Sequence, residues 1–112
     1  MAGKETVRVL GEKYNPDILT VTDEPKSAQE LSEQLDVPIA TCYRRIEDLQ
    51  EVELLELHDR PLSDEHRRVN VYRRNVDGIE ITFRHGLEVD LEKRSEVRDK
   101  LDRVWRDISH DQ

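Results

Sequence analysis

SAQELSEQLDVPIATCYRRIEDLQEVELLE, residues 27–56, reads as two helices joined by a very short turn. Ser27 followed by Glu30 is a capping box, in which hydroxyl and carboxylate satisfy backbone N–H groups that a helix start leaves unpaired. Ala28, Leu31 and Leu35 then recur on one helical face, with Gln29, Glu30, Glu33 and Gln34 on the other. Asp36 tolerates the left-handed backbone that closes a helix, and Pro38 begins a new one more readily than it continues an old one. The second helix is expected over residues 38–52, its apolar positions Cys42, Ile46 and Leu49 spaced four and three apart. Ile39, Ala40, Thr41, Tyr43, Arg44 and Gln50 stay near the opposite side, with Arg45 at its margin.

Two short helices with so tight a turn form a helix-turn-helix, whose second helix can enter a DNA major groove. The segment resembles the winged helix-turn-helix domains of ArsR-like regulators, where a helix of the form V-S-x-S-T-V-S-R-H-L-x-x-L precedes Gly-Leu-Val and a wing. VPIATCYRRIEDLQEVELLE follows that pattern, with Thr41, Arg44, Ile46, Leu49 and Leu54 at matching positions. It departs where the usual turn Gly is Asp36, the usual serine cap is Pro38 and the Gly before the wing is Glu53. The resemblance covers roughly residues 9–74 and implies a DNA-reading helix, a wing and dimerisation through terminal helices.

Upstream, Val7, Leu10 and Tyr14 sit at helical spacing, and Asn15-Pro16-Asp17 supplies a cap, a first-turn proline and a dipole-favoured acid. The opening helix should break and restart there, with Ile18, Leu19 and Val21 continuing its apolar face as the floor of the helix-turn-helix. Downstream, residues 54–59 alternate, residues 60–65 read as a turn, and HRRVNVYRR (66–74) alternates again, which makes a hairpin wing. Asp77-Gly78 signals a further turn. Ile79, Ile81 and Phe83, then Leu87, Val89 and Leu91, predict an extra hairpin that extends the sheet. From about Glu92 the pattern is helical again, with Val97, Leu101, Val104 and Ile108 on one seam and Trp105 beside it. So short a helix does not stand alone, and a second copy of the chain is its expected partner. The architecture expected is thus α+β: a winged helix-turn-helix with extended sheet over residues 1–91 and a C-terminal dimerisation helix over 92–112.

At 112 residues the chain suits one domain; 35% apolar and 39% charged residues leave it a thin core and an ionic surface. A net charge of −8 opposes phosphate at long range, but 13 Arg against 5 Lys, amid 26 acids, look like a protein of a salt-rich cytoplasm, as in a halophilic archaeon. There the screening length falls to about 3 Å and local contacts decide. One cysteine fits a reducing cytosol. With no bilayer-length apolar run and no signal-peptide core in MAGKETVRV, a soluble cytoplasmic protein is expected.

The residues expected on DNA are Ile39, Ala40, Thr41, Tyr43 and Arg44, with Pro38 and Arg45 at the margins. Arg44 suits a bidentate pair to guanine, Ala40 and Thr41 suit thymine methyls or base edges, and Tyr43 suits a phosphate. Residues 66–74 hold four arginines and no acid, so Arg67 and Arg68 near the wing tip are expected on backbone, with Arg73 and Arg74 structural. Ser27 at a helix start is a further phosphate candidate. Cys42 takes the small apolar position of its helix and should be buried, although Arg44 and Arg45 nearby keep a redox-sensor reading open. His58, His66, His85 and His110 lack paired-ligand spacing, so neither metal nor cofactor is expected, and no catalytic constellation is apparent. The competing reading is a winged-helix protein-interaction module, favoured if neighbouring acids neutralise these arginines.

Overall fold

The computed structural model describes residues 3–63 and 65–94. Four helices precede most of the strands: α1 (Gly3–Leu10), α2 (Asn15–Val21), α3 (Ala28–Leu35) and α4 (Ile39–Glu51). The strands are β1 (Lys26–Ser27), β2 (Leu55–Asp59), β3 (Val71–Arg74), β4 (Val76–Thr82) and β5 (Glu88–Lys93). The architecture is α+β, a winged helix-turn-helix with an additional hairpin.

The capping box is present in both directions. The Glu30 N–H donates to Ser27 Oγ at 3.1 Å and the Ser27 N–H donates to Glu30 Oε1 at 3.0 Å. Asp36 closes α3 at φ 55°, and its neighbour Val37 N–H bonds Ser32 O at 3.1 Å. Pro38 is the N-cap of α4, so the helix begins one residue later than its sequence suggests. Cys42, Ile46 and Leu49 are buried, as are Ala28 and Leu31, and they join Val9, Ile18, Leu19, Leu54, Leu55, Tyr72 and Val76 in one core. Glu53 takes the left-handed setting, φ 64°, in which the family pattern has Gly, and Leu54 N–H then bonds Leu49 O at 2.9 Å.

The chain does break before residue 15, but the cap differs from the expected one. Tyr14, at φ 76°, is the N-cap of α2, while Asn15 is buried and donates from Nδ2 to Val9 O at 2.6 Å. The inward face of α1 also differs: Gly3, Thr6 and Val9 are buried, whereas Val7, Leu10 and Tyr14 are only partly so. A hydropathy pattern misses that face because Gly and Thr carry no apolar signal, yet their small side chains allow close approach. α1 packs on α4 and on β5.

The wing is the antiparallel pair β2–β3, with β1 on the far side of β3 in the order β1-β3-β2. Only residues 71–74 of the expected 66–74 run form a strand. The rest is a loop shaped by Ser63, whose N–H bonds Arg67 O at 2.7 Å and whose Oγ accepts from the Glu65 and Arg67 N–H groups at 3.3 Å.

The extra hairpin β4–β5 exists, but as a separate two-stranded sheet rather than an extension of the first. Arg74 N–H bonds Thr22 O at 2.7 Å and Asn75 N–H bonds Leu54 O at 2.9 Å, so the chain leaves the β3 ladder there. Asp77-Gly78 is not a turn; the register of β4 against β5 shifts between Val76 and Gly78, which makes it a bulge. β5 runs to Lys93, past the expected boundary after Leu91. The expected helix carrying Val97, Leu101, Val104, Trp105 and Ile108 lies outside the described residues.

Candidate nucleic-acid interface

α4 separates its side chains cleanly. Cys42, Ile46 and Leu49 face the core, and Ile39, Ala40, Tyr43, Arg44, Glu47 and Gln50 face out, with Thr41 half-buried. Ile39 is 42% and Tyr43 57% exposed, an apolar expenditure that a merely solvated helix does not need. Acidic Glu47 and Glu51 are confined to the later turns, so the N-terminal half presents Arg44 among neutral and apolar groups.

Tyr43 also lines a groove of about 570 Å³ whose other walls are the start of α3 (Ser27, Ala28, Gln29) and the wing (Arg60, Ser63, Arg67, Arg68, Asn70). Among the described residues Glu65 is the one carboxylate that lines it. Three elements far apart in sequence thus converge on one channel: the positive end of the α3 dipole, a phenol and three guanidinium groups. Among the described residues, Arg44, Arg60, Arg67 and Arg68 make no ion pair; Arg68 donates from Nη1 to Arg60 O at 3.2 Å, which steadies the wing without quenching its charge.

Other arginines are spoken for. Arg45 is bound by Glu12 from the α1–α2 turn and lies 3.9 Å from Asp48, so it clamps α4 to the floor. Arg73 pairs with Glu56 at 3.2 Å across the β2–β3 ladder. Arg74 donates to Val76 O at 2.7 Å and to Leu19 O at 2.9 Å, a structural role. Ser27 is buried and its hydroxyl is already engaged in the cap, so what it presents to the groove is a helix terminus. Arg60 was missed by sequence reading. It sits in a stretch that reads as a turn, and only the folding of the wing loop sets it beside Arg67 and Arg68.

Cys42 is fully buried, its thiol 3.9 Å from Val37 O, and burial pushes its pKa up. A thiol so placed is the reverse of the exposed, low-pKa group a redox sensor requires. Among the described residues no cluster of His, Cys, Asp or Glu is placed to hold a metal, and no helix is long and apolar enough to cross a membrane.

The fold and this geometry define a helix-turn-helix protein. Comparison with protein families agrees: residues 10–58, just under half of the chain, match the family described as "Helix-turn-helix domain". The match spans α2 to β2 and supports a DNA-binding regulator in general terms. No curated protein matches the chain.

Proposed function

We propose that this protein is a sequence-specific regulator of transcription that binds double-stranded DNA as a homodimer in the cytoplasm. The observation that carries the reading is the groove shared by Tyr43, the α3 N-terminus and Arg60, Arg67 and Arg68, which make no ion pair among the described residues; it is continuous with the exposed face of α4. α4 enters the major groove with Ile39, Ala40, Thr41 and Arg44 toward base edges. The flanking phosphates pass Tyr43 and the wing arginines. Pro38 sets the angle at which α4 meets the groove, and Arg45 positions the helix rather than touching DNA. Neutralised arginines would have favoured a protein-docking module; Arg45 and Arg73 are neutralised, whereas the four that border the groove and the α4 face meet no acid among the described residues. Two-fold symmetry follows from the way dimers read half-sites, with residues 95–112 supplying the second copy's contact through Val97, Leu101, Val104, Trp105 and Ile108.

Selection from a random duplex pool at high potassium chloride, run with wild type and Arg44→Ala in parallel, tests this. An enriched palindrome that is lost or relaxed in the variant is expected. Absence of any enrichment across a salt series would place the protein-docking reading first.

A further inference from the structure

The β4–β5 hairpin has two unlike faces. Glu80 stands directly opposite Asp90, and Thr82 opposite Glu88, on one; Ile79 opposite Leu91, and Ile81 opposite Val89, on the other. The first face belongs in water. The second is only partly covered. Gly3, at the start of α1, lies so near β5 that a Cβ there would meet Leu87 and Val89 at 3.0–3.2 Å, and Val89 is accordingly buried. On β4 the cover stops short: Ile79 packs against the core beside Leu19 and Thr20 of α2, and among the described residues no helix is seen to pack on the strand beyond it. Ile81 is 37% exposed, and Phe83, of the same parity one residue past the strand, is 75% exposed, the highest value among the large apolar side chains described.

What covers this face is indicated by where the chain leaves it. β5 ends at Lys93, and Arg94 is held in line by its N–H to Asn75 O at 3.0 Å, at the end of the hairpin opposite Phe83. The 18 residues that follow carry an apolar seam beginning at Val97 and including Trp105, the chain's one tryptophan. As a helix they would span about 27 Å, which matches the roughly 23 Å of a seven-residue strand. Only Ser95 and Glu96 separate the pinned Arg94 from the seam, the shortest connection in which a helix can reverse onto its own strand. Crossing to a second molecule needs no such reversal, and the exchange is self-complementary, as a two-fold interface must be.

We propose that the exposed Ile81–Phe83 end of this hairpin face is the seat of residues 95–112 from a second copy of this chain. This rests on the homodimer reading above and names the surface it uses. Each copy contributes a hairpin and receives a segment, and Trp105 is buried only in the dimer.

Phe83→Asp and, as a matched exposed apolar control on β2, Leu57→Asp are compared with wild type by sedimentation over a concentration series, with acrylamide quenching of Trp105 in the same samples. The expected result is a wild-type dimer with shielded Trp105, an unchanged Leu57→Asp protein, and a Phe83→Asp protein whose dimer is weakened roughly tenfold or more, the scale of an aromatic anchor, with Trp105 quenched freely. Since Phe83 is largely solvent-exposed, its replacement leaves the monomer fold intact, which the melting curve checks. A dimer indifferent to Phe83→Asp would overturn the proposed seat and leave the homodimer standing. A wild-type monomer, with or without an enriched duplex, would overturn both.

Discussion

Glu53 ends α4 at φ 64°, a setting that costs an L-residue about 1–2 kcal/mol and glycine nothing. Among the described residues its side chain has one exposed 3.8 Å contact, with Lys93, to lose. Glu53→Gly should therefore stabilise the protein by about 0.5–1 kcal/mol in chemical denaturation, once the greater freedom of glycine in the unfolded chain is deducted. Ser27→Ala should act in the other direction, costing about 1 kcal/mol, because it removes half of a capping box at a buried helix start. Cys42 makes a prediction about pH. Its pKa is raised by burial, so above the ordinary thiol value of about 8.5 the unfolded chain loses a proton that the native one keeps. Stability should then decline as pH rises through that window, and the decline should be shallower in Cys42→Ala, whatever constant offset that substitution adds.

At the level of elements, α4 and the wing should fail differently. If α4 reads bases as proposed, Arg44→Ala should cost about 1–3 kcal/mol on the selected duplex with little effect on random DNA. With the wing on phosphates as proposed, Arg67→Ala or Arg68→Ala should weaken binding alike on all sequences and lower the slope of log K against log salt by about one. Arg45→Ala should instead lower the melting temperature, since its partner Glu12 lies 33 residues away and the pair holds α4 on the α1–α2 turn. The hairpin shows a cost of its own: Glu80 faces Asp90 directly, and like charges in such a pair destabilise a ladder by some tenths of a kcal/mol. Glu80→Lys should stabilise it, most visibly at low salt.

For the whole molecule the tension lies between a net charge of −8 and the surface proposed to bind DNA. The fold manages it by segregation. Acids occupy the outer face of the hairpin and the later turns of α4, while the groove between α3, α4 and the wing has, among the described residues, three arginines without an ion pair against one carboxylate. Long-range repulsion is relieved by salt more completely than contacts inside a groove. The melting temperature should consequently rise as potassium chloride is added, and DNA affinity should fall with a slope set by the few wing arginines rather than by the net charge. A melting temperature flat across the same series would mean that the acidic surface costs the folded state nothing.

The sequence by itself determined the local pieces: the capping box at Ser27, the left-handed Asp36, the burial of Cys42, Ile46 and Leu49, the break before residue 15 and the existence of both hairpins. Caps, helical period and strand alternation are interactions within a few residues, and a linear pattern records them. The phase of α1 escaped because close packing through Gly3 and Thr6 has no hydropathy signature. Only the tertiary structure decided which arginines are free. Arg45 finds Glu12, Arg73 finds Glu56 and Arg74 finds the carbonyl of Leu19, whereas Arg44, Arg60, Arg67 and Arg68 find no acid among the described residues. It likewise decided that β4–β5 stands as a sheet apart with Phe83 uncovered. Pairing and coverage are set by what distant segments bring alongside, and composition, however rich in charge, does not say which neighbours meet.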